Sequence, residues 1–120
     1  AAGAQFGVAK AARIIPVRVL GCSMSGSMAS ALTGLSYVIA RKKLTPSVPM
    51  VVSMSLSGTT GSLLFDRVAT QALNAGITIV VSSGNAGGNA CAASPARIPG
   101  VITVGAVDAQ DRRANFSNTG

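Results

Sequence analysis

A polar turn directly follows one of the most apolar short runs of the chain. Residues 79–81 are Ile-Val-Val, and Ser82-Ser83-Gly84-Asn85 comes next. The β-branched run predicts a buried strand, and ligands of open parallel sheets bind at the carboxyl ends of the strands. An amide fixed there is a good hydrogen-bond donor to an oxygen atom on which negative charge develops. We therefore take Asn85 as a candidate oxyanion donor.

Other reactive groups are sparse. The 120 residues contain no histidine, so a histidine base for a serine nucleophile is not supplied by them. No serine stands in a Gly-x-Ser-x-Gly motif. Cys22 and Cys91 have no partners at metal-ligand spacing, and Asp66, Asp108 and Asp111 are interpreted as surface or turn carboxylates.

Apolar periodicity predicts alternating strands and helices. Strands are predicted at residues 14–20, 50–55, 77–81 and 101–104, and helices at about 28–43 and 62–74. Ser62 is the expected N-cap of the second helix and Gly76 its C-terminal stop. This order indicates βαβ units, hence an α/β fold with a parallel sheet that is buried on both faces.

Three loops should then emerge at one edge of that sheet, at residues 23–27, 55–58 and 83–88. All three are rich in serine and glycine. Such loops leave room for an extended polypeptide that pairs through main-chain hydrogen bonds. The loops therefore predict a groove for an extended peptide.

Composition excludes several classes of partner. The net charge is +7, but the basic residues are scattered and only 3% of residues are aromatic, which argues against a nucleic-acid surface. No apolar run is long enough to span a membrane. Hydrophobic residues make up 48% and charged residues 11%, a composition typical of the interior of a larger α/β domain.

Two other interpretations of the polar turn stay open. The turn could cradle a phosphate, although Gly84-x-x-Gly87-Gly88 matches neither the dinucleotide fingerprint nor the P-loop. Alternatively, Asn85 could satisfy only the backbone of its own tight turn.

An ordered set of motifs resembles the subtilisin-like serine proteases, in particular the proteinase K and aqualysin branch. The motifs are Val17-Arg-Val-Leu20, Met54-Ser-Leu-Ser-Gly58, Val80-Val-Ser-Ser-Gly-Asn85, Ser94-Pro-Ala-Arg97, Val101-Ile-Thr-Val-Gly-Ala106 and Asp111-Arg-Arg-Ala-Asn-Phe-Ser-Asn118. The resemblance covers essentially the whole chain. It implies a secreted serine endopeptidase with a three-layer α/β/α fold and a mostly parallel sheet, incomplete in these residues.

 The one cofactor that the resemblance implies is a structural calcium ion, bound in part by the backbone carbonyls of Pro99 and Val101.

The resemblance also assigns roles to individual residues. Asn85 matches the side-chain donor of the oxyanion hole. Substrate-binding positions match in three groups, which are Ser55, Leu56 and Ser57 on one wall of the cleft, Ser25 and Gly26 on the opposing strand, and Ser82, Ser83 and Gly84 on the wall of the primary specificity pocket. Met24 stands where the family pattern usually has glycine, which is expected to narrow the distal cleft.

We therefore expect residues 1–120 to form the central part of a single peptidase domain. The resemblance places the catalytic Asp and His upstream and the nucleophilic Ser downstream of these residues, so the isolated chain should be inactive. The intact protein is expected to be a secreted monomer that cleaves polypeptides. A non-catalytic peptide-binding relative is the alternative, and a nucleotide-binding α/β domain is a second one. Cys22 and Cys91 are not expected to bond to each other.

Overall fold

The computed structural model describes residues 1–23 and 25–120, so the expectation for Met24 lies outside the described residues. Helices and strands alternate along the chain as predicted. The elements are helix α1 (Met28–Leu44), strand β1 (Met50–Met54), helix α2 (Leu63–Asn74), strand β2 (Ile77–Ser82), a 3₁₀ turn (Ala90–Ala92) and strand β3 (Ile102–Val104). No helix in the described part of the chain is both long and apolar enough to cross a membrane.

Serine side chains begin both long helices. Ser27 Oγ accepts a hydrogen bond from the Ser30 N–H at 3.0 Å, and Ser62 Oγ accepts one from the Phe65 N–H at 3.3 Å. Each bond satisfies one of the N–H groups that the first turn of a helix leaves without an intrahelical partner. The predicted cap at Ser62 is confirmed.

The basic residues at the end of α1 differ in their exposure, since Lys43 is exposed and Lys42 is not. Lys42 is buried, and its ammonium group donates to the carbonyl oxygens of Pro46 at 2.7 Å and Val48 at 2.8 Å. A buried cation is costly unless its donors are satisfied. Lys42 therefore ties the end of α1 to the loop that leads into β1.

The three strands form a parallel sheet in the order β1-β2-β3. Met50 pairs with Ile77 at the start of the β1–β2 ladder and Met54 with Val81 at its end. The β2–β3 ladder ends at the pair Ser82 and Val104. Parallel pairing in this register brings the carboxyl ends of the strands to one edge, which confirms the predicted α/β class and sheet direction.

Both helices pack on the same face of this sheet. A single core cluster joins Leu35 of α1, Phe65 of α2 and Ile79 of β2. The opposite face leaves apolar side chains open, with Val51 67% and Ile102 53% exposed. The described residues thus supply two of the three predicted layers.

The strand predicted at residues 14–20 is wrong. These residues form no strand in the described part of the chain, and β1 pairs there only with β2. A Cβ atom placed on Gly34 would lie 2.5 Å from Val19 Cγ1 and 3.2 Å from Val17 Cγ1, so the segment lies against α1. Val17 and Val19 approach the helix, but Ile14 and Ile15 are 67% and 40% exposed. Apolar, β-branched sequence alone does not show whether such a segment finds a strand to pair with.

Candidate active site

The loops that follow β1 and β2 lie side by side at the carboxyl edge of the sheet. Ser82 Oγ makes a long hydrogen bond of 3.5 Å to the Leu56 carbonyl oxygen. A Cβ atom placed on Gly84 would lie 3.6 Å from Ser57 Oγ. The structure therefore brings together two of the three predicted groups of binding residues, residues 55–57 and 82–84.

A small open cavity of about 170 Å³ lies at the same edge. It is lined by Ser53, Met54, Ser55, Val80, Val81, Ser82 and Val104. The lining is apolar along the strands and hydroxyl-bearing at their ends, which suits an apolar side chain attached to a hydrogen-bonding backbone.

Asn85 lies in an exposed turn between two glycines with left-handed backbone. The φ angles are +97° at Gly84 and +65° at Gly87, a region that glycine enters without the steric cost of a Cβ atom. The Asn85 side chain is exposed. The turn thus presents an amide to solvent beside the ends of β1 and β2.

The segment 116–119 runs along this turn and holds its backbone. The Gly87 N–H donates to the Phe116 carbonyl at 2.8 Å, and the Thr119 N–H donates to the Gly88 carbonyl at 2.9 Å. The Ala90 N–H donates to the Thr119 carbonyl at 2.7 Å. These bonds replace the sheet ladder beyond the end of β2.

The Asn118 side chain adds three more bonds to the same turn. Its Oδ1 accepts from the Ala86 N–H at 3.1 Å and from the Gly88 N–H at 2.8 Å. Its Nδ2 donates to the Ser83 carbonyl at 2.9 Å. Asn118 is not among the site residues predicted from the sequence. Its partners lie 30 to 35 positions away in the chain, and no local sequence pattern indicates contacts at that separation.

Ser83 is buried beneath the turn. Its hydroxyl lies 3.4 Å from Ser117 Oγ, and Ser117 Oγ accepts a hydrogen bond from the Ala106 N–H at 3.0 Å. Ser83 and Ser117 are 6% and 1% exposed. The Ser83 hydroxyl is therefore shielded from solvent beneath the turn.

A half-buried polar network fixes the other loop of the site. Asp66 Oδ1 accepts from Ser94 Oγ at 2.5 Å, and Asp66 Oδ2 accepts from Arg97 Nε at 2.9 Å and from a second nitrogen of the same guanidinium. Ser94 Oγ in turn accepts from the Ser62 N–H at 2.8 Å, and the Ser94 carbonyl accepts from the Gly58 N–H at 2.9 Å. The network thus joins the start of α2 to the loop after β1.

The carboxylate of Asp66 is not the surface group that the sequence suggested. Its side chain is only 22% exposed. Desolvation by burial acts to raise the pKa of Asp66, but the hydrogen bonds from Arg97 and Ser94 and the charge of Arg97 together hold this pKa below its ordinary value. The group is therefore an anion that stabilises the folded state at neutral pH.

Asp108 is the turn carboxylate that was predicted. Its Oδ1 accepts from the N–H groups of Gln110 at 2.9 Å and Arg112 at 3.0 Å. The hydrogen bond from the Arg112 backbone is the main cause that lowers the pKa of Asp108. The group belongs to a surface turn that lies outside the loops of the candidate site.

Comparison with known proteins identifies the family. The model of the subtilase family matches residues 1–120. The chain belongs to the subtilase family. A solved cold-adapted subtilisin-like serine proteinase superposes with a TM-score of 0.91 at 39% identity, over 98% of this chain and 41% of that chain.

Subtilase relatives match along nearly the whole chain. An extracellular serine proteinase of Thermus sp. (strain Rt41A) is 45% identical over 118 residues, which are 98% of this chain and 28% of that protein. A cuticle-degrading serine protease of Arthrobotrys oligospora is 43% identical over 120 residues, which are 99% of this chain and 28% of that protein. The chain thus spans less than a third of the length of these relatives.

The third group of predicted binding residues of this subtilase lies in a separate turn before α1. The Gly21 N–H donates to the Ser25 carbonyl at 2.8 Å, and a Cβ atom placed on Gly26 would lie 2.5 Å from the Val19 carbonyl oxygen. The start of α1 approaches the loop after β1, since a Cβ atom on Gly58 would lie 3.9 Å from Met28 Cε. The role of Ser25 and Gly26 in the subtilase cleft stays a prediction.

Both cysteines of the subtilase chain, Cys22 and Cys91, are free and exposed, and the absence of a bond between them in the intact protein stays a prediction. Among the described residues, no group of three or more His, Cys, Asp or Glu side chains is arranged to hold a metal ion. The carbonyls of Pro99 and Val101 flank Gly100, whose φ is +87°.

Proposed function

We propose that the full-length protein carrying these residues is a serine endopeptidase, to which residues 1–120 contribute the substrate-binding loops and the oxyanion donor as the central part of one catalytic domain. The observation that carries the proposal is the exposed Asn85 amide in a subtilase, held beside the carboxyl ends of β1 and β2. A serine would attack the peptide carbonyl, a histidine would accept its proton and an aspartate would orient the histidine. These three groups would come from outside the 120 residues, which contain no histidine.

In this mechanism Asn85 acts on the carbonyl oxygen of the scissile bond. As the serine adds, negative charge develops on that oxygen, and a donor already aimed at it stabilises the transition state more than the substrate. The turn is held by bonds to residues 116–119, so little reorganisation is needed when the charge appears.

The loops around Asn85 would bind the peptide in an extended conformation. Ser55, Leu56 and Ser57 would form one wall and Ser25 and Gly26 the other. The neighbouring Ser82, Ser83 and Gly84 would line the pocket for the side chain that precedes the cleaved bond. The contact of Ser82 with Leu56 and the proximity of Gly84 to Ser57 support this arrangement.

Hydrolysis of an unfolded protein by the purified full-length protein tests the proposal. We expect cleavage within the polypeptide, loss of activity after reaction with a serine-directed phosphonyl fluoride, and no cleavage by residues 1–120 alone. A variant whose nucleophilic serine is replaced by alanine is the control. Binding of the same substrate without cleavage would instead support the non-catalytic alternative, whereas the nucleotide-binding alternative has no supporting observation.

The names of two relatives, an extracellular serine proteinase and an alkaline serine exoprotease, support a secreted enzyme that acts on polypeptides. We propose that it works as a monomer, without nucleic-acid or membrane partners. The same hydrolysis assay on culture medium and cell lysate, followed by gel filtration of the active fraction, checks the location and the oligomeric state.

A calcium ion at residues 99–101 is proposed as a structural element. Calcium takes six to eight oxygen ligands, so the carbonyls of Pro99 and Val101 fit as part of a set that other residues would complete. A chelator is expected to lower the melting temperature of the full-length protein, and added Ca²⁺ is expected to restore it in a concentration-dependent way. Magnesium at the same concentration is the control, and an unchanged melting temperature after chelation would contradict the proposal.

A further inference from the structure

We propose that Asn118 is a positioning residue for Asn85, and that its side chain fixes the turn on which the oxyanion donor stands. This inference rests on the proposed function and adds a residue to its catalytic apparatus. Asn118 binds the backbone at Ser83, Ala86 and Gly88 at distances of 2.9, 3.1 and 2.8 Å. These three bonds bracket Asn85 on both sides.

The turn needs an external support because its own backbone supplies little. Left-handed glycines at both sides of Asn85 have a broad conformational range. One amide side chain, which has both a donor and an acceptor, satisfies two N–H groups and one carbonyl of the turn. The direction of the Asn85 side chain is thereby coupled to Asn118.

The fit between the turn and Asn118 also explains the glycine before Asn85. A Cβ atom on Gly84 would lie 2.5 Å from Asn118 Nδ2, closer than two such atoms approach each other. The amide therefore occupies the space that a side chain at Gly84 would take. Any larger residue at position 84 would displace the Asn118 side chain.

The rest of the segment stays anchored without this side chain. The Asn118 N–H donates to the Gly84 carbonyl at 3.0 Å, and the Gly87 N–H and Thr119 N–H make backbone bonds of 2.8 and 2.9 Å. The Ser117 side chain is buried beside them. Asn118→Ala is therefore expected to remove the three side-chain bonds while the segment stays docked.

Loss of these bonds should act on the transition state more than on substrate binding. A displacement of a catalytic group by about 1 Å is enough to cost about 100-fold in rate. For a turn that loosens but stays in place, we expect Asn118→Ala to lower kcat by about 10-fold or more. KM should change by less than about 3-fold, because backbone bonds that Asn118→Ala leaves intact still hold the binding loops. Gly58 stays bonded to Ser94, and Ser83 stays bonded to the Val104 carbonyl at 2.9 Å.

A double-mutant cycle in the full-length protein tests the coupling. The variants are Asn118→Ala, Asn85→Ala and the pair together, assayed for kcat and KM on one peptide substrate. Asn118→Asp keeps one acceptor oxygen but replaces the Nδ2 donor with a carboxylate oxygen that would repel the Ser83 carbonyl, so its kcat should fall at least as far as that of Asn118→Ala. The matched control is Asn89→Ala, which removes a nearby asparagine whose side chain caps the Cys91 N–H at 2.8 Å and should leave kcat within about 2-fold.

We expect Asn118→Ala to lower kcat in the parent protein but to change kcat by less than about 2-fold in the Asn85→Ala background. An equal fall in both backgrounds would mean a general structural effect, and no fall in either would mean no effect of the side chain. Both results overturn the inference while leaving the proposed function standing, provided that Asn85→Ala itself lowers kcat. An unchanged kcat in Asn85→Ala would overturn the oxyanion role and this inference together.

Discussion

Replacing Asn85 by alanine in the full-length protein is expected to lower kcat by about 10²–10³-fold, the magnitude known for removal of such a donor in a subtilisin. KM is expected to stay nearly unchanged. The amide is exposed, so its removal leaves no cavity in the core. Its bond to the carbonyl oxygen strengthens only as charge develops, and this is why the effect falls on kcat. Initial-rate measurements on a peptide substrate over a range of concentrations separate the two constants.

An isosteric control distinguishes the donor from the shape of the side chain. Asn85→Asp keeps the size of the residue but replaces the N–H₂ donor with an oxygen atom, so it should lose at least as much activity as Asn85→Ala. A kcat within about 2-fold of the parent in either variant would rule out the oxyanion role.

Asp66→Ala is expected to destabilise the full-length protein by about 2–4 kcal/mol at pH 7, because it leaves Arg97 and Ser94 without their common acceptor in a half-buried site. Arg97 and Asp66 are 30% and 22% exposed, so the loss should exceed that of a surface ion pair. The loop after β1 is attached to this network through Ser94, so KM should also rise. Urea unfolding followed by circular dichroism measures the change in the free energy of unfolding.

The sign of the pH dependence follows from the lowered pKa of Asp66. Hydrogen bonds and the charge of Arg97 hold this pKa below the ordinary value of 3.8. The stabilisation is therefore fully present above that value and is lost as the pH falls through the pKa of the folded state. Asp66→Asn, which keeps the shape but not the charge, is the control. A stability difference between the parent and Asp66→Ala that stays constant down to pH 2 would contradict the charge-based account.

Local sequence predicted most of the fold. The N-cap at Ser62 and the glycine stop at Gly76 marked the ends of α2, and β-branched runs marked β1 and β2. Both signals could be recognised in the sequence because each depends on residues close together in the chain. The strand predicted at residues 14–20 was wrong, because strand formation also requires a partner edge. No local pattern indicated that this segment would lie beside α1 without pairing to another strand.

The candidate site was predicted only in part. Asn85 stood out as a polar residue after an apolar strand. In contrast, Asn118 and the Asp66 network depend on pairs about 30 positions apart, such as Ser94 with Asp66 at a separation of 28. Residues of that kind look like ordinary polar surface groups until the fold brings them together.

The position of residues 116–119 in the sequence has a consequence for biosynthesis. The turn that carries Asn85 is held by a segment that leaves the ribosome about 30 residues later. Until that segment emerges, the nascent chain contains the residues of β1 and β2 but lacks the residues that hold the turn. Asn85 therefore gains the support of this segment only after β1, β2 and β3 have all been synthesised.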